Sequence, residues 1–454
     1  MLASGSLRLN ILMIAHVIGR AGGIEMSMVD LVSDLHRRGH AVTVFVCRSP
    51  QRPNQYVDRL LASGTVVLSC PGWLAAIAGL DLGLRLKIIE AVVALLAPFL
   101  LLVAGLYAIA QRRPLVRVWV GARGKARASM SWLLQLERLY YVTLTARAWR
   151  RRPNVVHVHG WGCGQDPPGG LPWARSRGLP TVYTEHNSPP LATDGVKPPS
   201  WLNLADVIIA CSHAGATGLR ETCCAIKPIV VIPYSVADPV PVGHAIEARH
   251  DPSTAPPRPV TFTCLARMSV HQKRQDDLLR AFRKVADARQ DVRLLLAGDG
   301  EDRAMLERLA RDLEVEDKVS FLGVVPRDRL AWLMAESDVM VLPSAWEGLP
   351  VSVIESMAFG KPVVASDVGG NPELVDDGVS GRITPPRDVD PLAAAMLELA
   401  GDADLRARMG VAARERFESG GFRPNDVGAA TLEVYREAVR QHNSHATDPS
   451  EMRT

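Results

Sequence analysis

Short unbroken apolar runs, each followed by a stretch of helical period, recur along the chain and dictate parallel sheets. The first set falls at residues 9–15, 41–47, 65–69, 154–159, 180–184, 206–211 and 228–233. Strands covered on both faces read as continuous apolar runs, and parallel neighbours need a crossover that a helix supplies. A second set starts at 260–265 and continues at 292–297, 319–322, 339–342 and 362–366, with helical patterns at 277–288, 302–313 and 328–336. Residues 237–259 between the sets carry proline and charge with no apolar period, as a linker does. A chain of 454 residues has length for two cores. The expected fold class is therefore α/β, with two doubly wound domains. The first spans 1–236 with a hydrophobic and basic insertion near 70–153, and the second spans 260–420. A helix at 421–442 is expected to pack back towards the first domain, and 443–454 to form a flexible tail.

The second domain holds the stretch most suggestive of chemistry, residues 338–367. A buried strand ends at Pro343-Ser344, and Glu347-Gly348-Leu349-Pro350 leads into a helix that Gly360 stops. Pro350 suits the first helical position, and the N–H groups of that helix start suit an anion. Glu355 lies roughly 7–8 Å further along the axis. A phosphate at the helix start and a sugar hydroxyl near Glu355 are compatible with that spacing, as are two ordinary surface acids. Arg267 and Lys273 follow the strand at 260–265, at the sheet end where open α/β proteins bind ligands. Gly298-Asp299-Gly300 closes the next strand at that end, without the paired acids that would hold a divalent metal. In the first domain, Gly22 and Gly23 lie in a glycine-rich turn that does not fit the dinucleotide fingerprint G-x-G-x-x-G.

A net charge of +4 does not argue for a nucleic-acid partner. Seven cysteines, with no zinc-ligand spacing, fit unpaired thiols in a reducing compartment. Residues 1–10 lack the apolar region of a signal peptide. Residues 91–110 contain no charged side chain, long enough to span a bilayer, and Arg85, Lys87, Arg112, Arg113 and Arg117 flank them. Apparent strands of one sheet lie on both sides of this segment, which argues against a single crossing. Residues 86–110 with their basic flanks are expected to meet the membrane surface as a hairpin or interfacial element; the alternative is a buried helix. The expected location is cytoplasmic, peripherally or monotopically attached to the inner face of the membrane.

Five stretches together resemble the family 4 glycosyltransferases. They are Gly22-Gly23-Ile24-Glu25; Val155-Val156-His157-Val158-His159-Gly160; Arg267 with Lys273 before Asp277-Leu278-Leu279; Ala297-Gly298-Asp299-Gly300; and Pro343-Ser344 through Glu355 and on to Glu373. Glu347 and Glu355 meet the family's E-x7-E, while 70–153 lies outside any match. The resemblance implies the GT-B fold, two Rossmann-like domains facing a cleft. It also implies a retaining hexosyl or related transferase, with a sugar nucleotide as co-substrate and no metal or other cofactor. Its donor site would comprise Gly22, Gly23, Arg267, Lys273, Gly298, Glu347, Gly348, Leu349, Val351 and Glu355. By that analogy Arg267 and Lys273 grip the diphosphate, Glu347 bonds the transferred sugar and Glu355 the ribose. His186 matches the family histidine that points at the sugar, so His186, Glu347, Arg267 and Lys273 form the expected catalytic set. The acceptor is expected to be a glycan or lipid-linked glycan of cell-envelope polysaccharide or glycolipid synthesis.

Three departures from the family pattern stand out. Lys273 lies one residue further from Arg267 than usual, which leaves Arg274 as a stand-in. Pro350 replaces a common glycine, and Pro233-Tyr234-Ser235-Val236 replaces a common Pro-Asn-Gly-Val. The rival readings are a membrane-associated scaffold that binds sugar nucleotide without turnover, and an epimerase or phosphorylase of the same fold.

Overall fold

The computed structural model describes residues 8–15, 23–46, 54–69, 149–160, 170–186, 200–239 and 258–446. Among these, seven strands form one sheet: β1 (Asn10–Ala15), β2 (Ala41–Val46), β3 (Val66–Ser69), β4 (Val155–Gly160), β5 (Thr181–Glu185), β6 (Val207–Ala210) and β7 (Ile229–Val231), in the order β3-β2-β1-β4-β5-β6-β7. A second sheet holds β8 (Val260–Leu265), β9 (Val292–Ala297), β10 (Val319–Gly323), β11 (Val339–Leu342), β12 (Val363–Ser366) and β13 (Gly381–Thr384), in the order β10-β9-β8-β11-β12-β13. Every pairing in the second sheet is parallel. Both sheets have the doubly wound order in which the first strand lies inside and the chain reverses direction across it.

The described helices are α1 (Gly23–Arg37), α2 (Gln55–Ala62), α3 (Gly170–Ser176), α4 (His213–Glu221), α5 (Val270–Lys273), α6 (Gln275–Ala288), α7 (Arg303–Asp312), α8 (Leu330–Glu336), α9 (Val351–Ala358), α10 (Asn371–Leu374), α11 (Val389–Gly401), α12 (Ala403–Ser419) and α13 (Pro424–Ala446). The chain forms two compact units. One comprises 1–20, 40–160 and 165–181; the other comprises 21–39, 161–164 and 182–454. The second unit contains the whole six-stranded sheet. Side chains alternate across it: Val339 and Val341 of β11 join a core with Phe262, Leu279 and Phe282, while Met340 and Leu342 join another with Ile354, Met357 and Phe417. Period-2 alternation thus feeds two apolar layers, and α6 and α9 supply one of them each.

The strands at 260–265, 292–297 and 339–342 occur where the apolar runs predict them. β13 is not foreshadowed, because Gly-Arg-Ile-Thr at a sheet edge carries one large apolar residue and no run. Its glycine is required by packing: a Cβ at Gly381 would lie 2.0 Å from the Val363 carbonyl oxygen. Three helices follow β13, broken at Asp402 and at Gly420-Gly421. The last continues to Ala446, past residue 442. No helix among the described residues is long and apolar enough to cross a membrane. Residues 86–110, expected to meet the membrane, lie outside the described residues.

In the first unit, His159 near the carboxyl end of β4 is buried, and burial pushes its imidazole down to about 4. The unfolded chain therefore takes up this proton at a higher pH than the folded one. Stability from the neutral ring is complete above about pH 6.5 and is lost as pH falls from there to about 4. At about 1.4 kcal/mol per pH unit, the loss is on the order of 3 kcal/mol. Denaturant titrations of wild type and His159→Gln across pH 7 to 4 should show a shallower acid slope in the variant. Parallel slopes would contradict the assignment.

Candidate functional site

The reversal point of the six-stranded sheet lies between β8 and β11, which pair through Phe262 and Val339. Open α/β sheets bind ligands outside the carboxyl ends of the strands at such a reversal point. Arg267 follows β8 by two residues, and Glu347 follows β11 by five. α5 docks its backbone on the second loop: Ala345 N donates to the Gln272 carbonyl at 2.7 Å, and the His271 ring meets Trp346 edge-on at 4.8 Å. That docking brings Lys273 Nζ to 2.5 Å from Glu347 Oε1, where Ser344 Oγ also donates at 2.6 Å. The Lys273 and Glu347 side chains are only 16% and 6% exposed.

The choice between Lys273 and Arg274 follows from the backbone. Arg274 turns the chain between α5 and α6 with φ of 53°, and its guanidinium is bound by Asp277 at 2.8 Å and Asp276 at 3.5 Å. Lys273 is the cation delivered to Glu347. Arg267 is exposed, and its guanidinium meets no carboxylate among the described residues. Its carbonyl accepts from Gln275 Nε2 at 2.7 Å, which fixes the backbone beneath the charge.

Close backbone approach shapes the rest. Gly369 has φ of 52°, and a Cβ there would lie 2.0 Å from the Glu347 carbonyl oxygen. Gly370 N donates to the Gly348 carbonyl at 2.9 Å. A Cβ on Gly348 would stand 2.5 Å from the His186 carbonyl oxygen, and one on Gly298 2.0 Å from that of Ala266. Gly23, at the start of α1, packs directly on Val351. Gly22, the other expected glycine, lies outside the described residues. Leu349 and Val351 are buried at the start of α9. Pro350 occupies the cap position, one residue earlier than expected: it has φ −73° and ψ 114°, and its carbonyl accepts from Val353 N at 3.1 Å. A helix start leaves the N–H groups of Val351 and Ser352 without intrahelical acceptors.

Glu355 is buried one turn into α9 and forms an ion pair with Arg327. Burial raises its carboxyl above the usual range, opposed by the Arg327 charge and reinforced by Asp30 on α1. Arg327, from the turn after β10, was not foreseen. In sequence Pro326-Arg327-Asp328-Arg329 reads as any solvated basic turn. His186, after β5, is buried with Nδ1 2.8 Å from the Tyr234 hydroxyl. Glu373 was quoted only as the end of a motif; its carboxylate accepts from His213 N and Ala214 N, both at 2.8 Å, at the start of α4. These described residues all belong to the second compact unit. None of the described residues form a group of three or more His, Cys, Asp or Glu able to hold a metal ion.

Residues 246–416 match the family model described as glycosyl transferases group 1, and residues 22–235 match the glycosyl transferase 4-like domain. N-acetyl-alpha-D-glucosaminyl L-malate synthase of Bacillus anthracis is 34% identical over 169 residues, covering 37% of this chain and 43% of that one. The GDP-mannose-dependent alpha-(1-6)-phosphatidylinositol monomannoside mannosyltransferase of Mycolicibacterium smegmatis is 37% identical over 192 residues, covering 40% and 50%. Glycogen synthase of Mycobacterium tuberculosis is 28% identical over 315 residues, covering 65% and 71%. The chain thus spans half or less of the length of the first two relatives. Among solved structures, a Rickettsia africae glycosyltransferase superimposes with a TM-score of 0.66 at 16% identity, covering 96% of this chain and 100% of that one. Anabaena HepE, solved with UDP and glucose, gives 0.64 at 18% identity, covering 94% and 99%. These likenesses show a shared fold, GT-B.

The glycine at 369 supports a direct test. Gly369→Ala adds a left-handed residue penalty of about 1–2 kcal/mol to a contact with the Glu347 carbonyl. Gly401→Ala, at a helix end where a Cβ meets nothing within 4 Å, should be neutral or stabilise slightly. Thermal unfolding should separate the two variants; equal midpoints would show that the 347–370 contact is not tight.

Proposed function

Given that this chain belongs to the family 4 glycosyltransferases, we propose that it moves a sugar from a nucleoside-diphosphate sugar to a hydroxyl acceptor with retention of anomeric configuration. The observation that carries this reading is the charge arrangement at the β8–β11 reversal point. An exposed Arg267 follows β8 at that end of the sheet, a lysine is already fixed beside Glu347, and α9 starts four residues after Glu347.

A diphosphate there would take Arg267 as a fork and the Val351 and Ser352 N–H groups as donors. Lys273 spends one of its three N–H bonds on Glu347 and has two left for phosphate oxygens. Glu347, fixed through Oε1, would present Oε2 to the hydroxyls of the transferred sugar, with His186 as a further sugar contact. Glu355, held in place by its ion pair with Arg327, would accept from the ribose. In the reaction the bond between the anomeric carbon and the phosphate oxygen breaks, and its electron pair leaves with the nucleoside diphosphate. Arg267, Lys273 and the helix start stabilise that charge. The acceptor oxygen bonds to the same face of the carbon, and its proton passes to the departing phosphate. No side chain need become covalently attached. We infer that these cations do the work a divalent metal would otherwise do.

The acceptor in this reading is a glycan or lipid-linked glycan of the cell envelope. The Mycolicibacterium relative, whose name specifies a phosphatidylinositol mannoside, supports a membrane-located acceptor, as do the uncharged residues 91–110 and their basic flanks. Deleting 91–110 should move the protein from the membrane pellet to the supernatant; unchanged partitioning would sink the membrane reading.

Nucleoside diphosphate release, measured with a panel of sugar nucleotides and a membrane extract as acceptor, tests the activity. Lys273→Met should lower turnover at least about a hundredfold. Arg274→Gly, which suits the left-handed backbone there, should stay within about threefold, because Arg274 serves the α6 start. The reverse pattern would reassign the cation. Donor binding with no turnover for any donor would favour a non-catalytic scaffold.

A further inference from the structure

Tyr234 replaces the asparagine common at this place in the family, and its surroundings give it a task. Its hydroxyl lies 2.8 Å from His186 Nδ1 and 3.3 Å from the His186 carbonyl oxygen. The two rings stack with centroids 5.6 Å apart and planes 22° from parallel. Both residues are buried, at 6% and 5% exposure. The backbone after Tyr234 is pinned twice: Ser235 N donates to Ser27 Oγ at 2.9 Å, and Val236 N to the Phe422 carbonyl at 2.8 Å. His186 is pinned from the other side, where its carbonyl approaches Gly348 beside Glu347.

We propose that Tyr234 is a positioning residue whose hydroxyl donates to His186 Nδ1, so that the neutral imidazole carries its proton on Nε2. This rests on the reading above, in which His186 faces the transferred sugar. The hydroxyl has one proton and three acceptors in reach, Nδ1 at 2.8 Å, the His186 carbonyl oxygen at 3.3 Å and the Cys211 sulfur; sulfur accepts weakly, and the ring nitrogen is nearer than the carbonyl. The carbonyl oxygen has another donor, the Cys211 thiol at 3.9 Å. The phenol also keeps its proton. Burial pushes it well above its usual range, and Cys211, Glu185 and Glu25 add to the same effect. Burial likewise pushes the Cys211 thiol up to about 12, so it remains a donor. With Nδ1 occupied as an acceptor, Nε2 is the ring's donor, and donation suits an oxygen of a sugar. An asparagine side chain has no ring to stack on the imidazole, so the tyrosine fixes both tilt and tautomer.

The test uses the full chain with ¹⁵N-labelled histidine. The His186 signals, among those of 12 histidines, are assigned by loss in His186→Gln. Wild type should show the proton on Nε2. Tyr234→Phe, which keeps the ring and its volume, should give a mixture of tautomers. It should lower kcat at least about tenfold while the KM for donor changes less than about threefold, as expected for lost orientation. A wild-type proton on Nδ1, or a tautomer unchanged in Tyr234→Phe, would overturn the proposal. The magnetic resonance result stands whether or not any donor is turned over, so a failure of the transferase reading is told apart from a failure of this one.

Discussion

The ion pair between Lys273 and Glu347 is the interaction on which the geometry of the candidate site depends. It joins loops from the two strands on either side of the sheet's reversal point, and it does so almost out of water. A buried pair of this kind adds little net stability, because desolvation offsets the Coulomb gain. Removing one partner is another matter, since it strands a buried charge at about 3–5 kcal/mol. The pair is therefore better understood as orientation than as glue. Ser344 gives the same Glu347 oxygen a second donor, and Ser366 Oγ in turn holds the Ser344 carbonyl at 2.5 Å. The carboxylate is set before any ligand arrives, which is what a site of defined geometry requires.

The glycines serve the same end by another route. Gly348, Gly369 and Gly370 let three backbone segments converge on residue 347 with no side chain between them. Hydrogen bonding carries the arrangement outward, from the Gly348 carbonyl to Gly370 and from Glu373 to the start of α4. His186, Tyr234 and Glu347 thereby share one packed framework. Glu355 is governed by a different balance, in which Arg327 opposes a burial that alone would favour the protonated acid.

How much of this the sequence discloses depends on whether a residue's role is local. Strands β8, β9 and β11 are legible because burial on both faces leaves an uninterrupted apolar run. β13 is illegible because an edge strand beginning with a close-packed glycine needs no such run. The two glutamates and Arg267 stand out by their place after strand ends, but spacing alone leaves them compatible with ordinary acids and a solvated basic turn, and only the resemblance gives them roles. Spacing alone could not choose between Lys273 and Arg274, since the left-handed turn at Arg274 decides which side chain faces Glu347. Arg327 and Tyr234 reach their partners from loops 28 and 48 residues away, and no short-range pattern encodes such contacts. The cap position of Pro350 is a one-residue matter of the kind that helix ends leave open.

The proposed activity requires a nucleoside diphosphate to bind at the β8–β11 reversal point. A crystal structure of the full chain soaked with UDP or GDP would test it most directly. Diphosphate density is expected between Arg267, Lys273 and the N–H groups of Val351 and Ser352, with the ribose at Glu355. A diphosphate bound elsewhere, with Arg267 still in solvent, would contradict it.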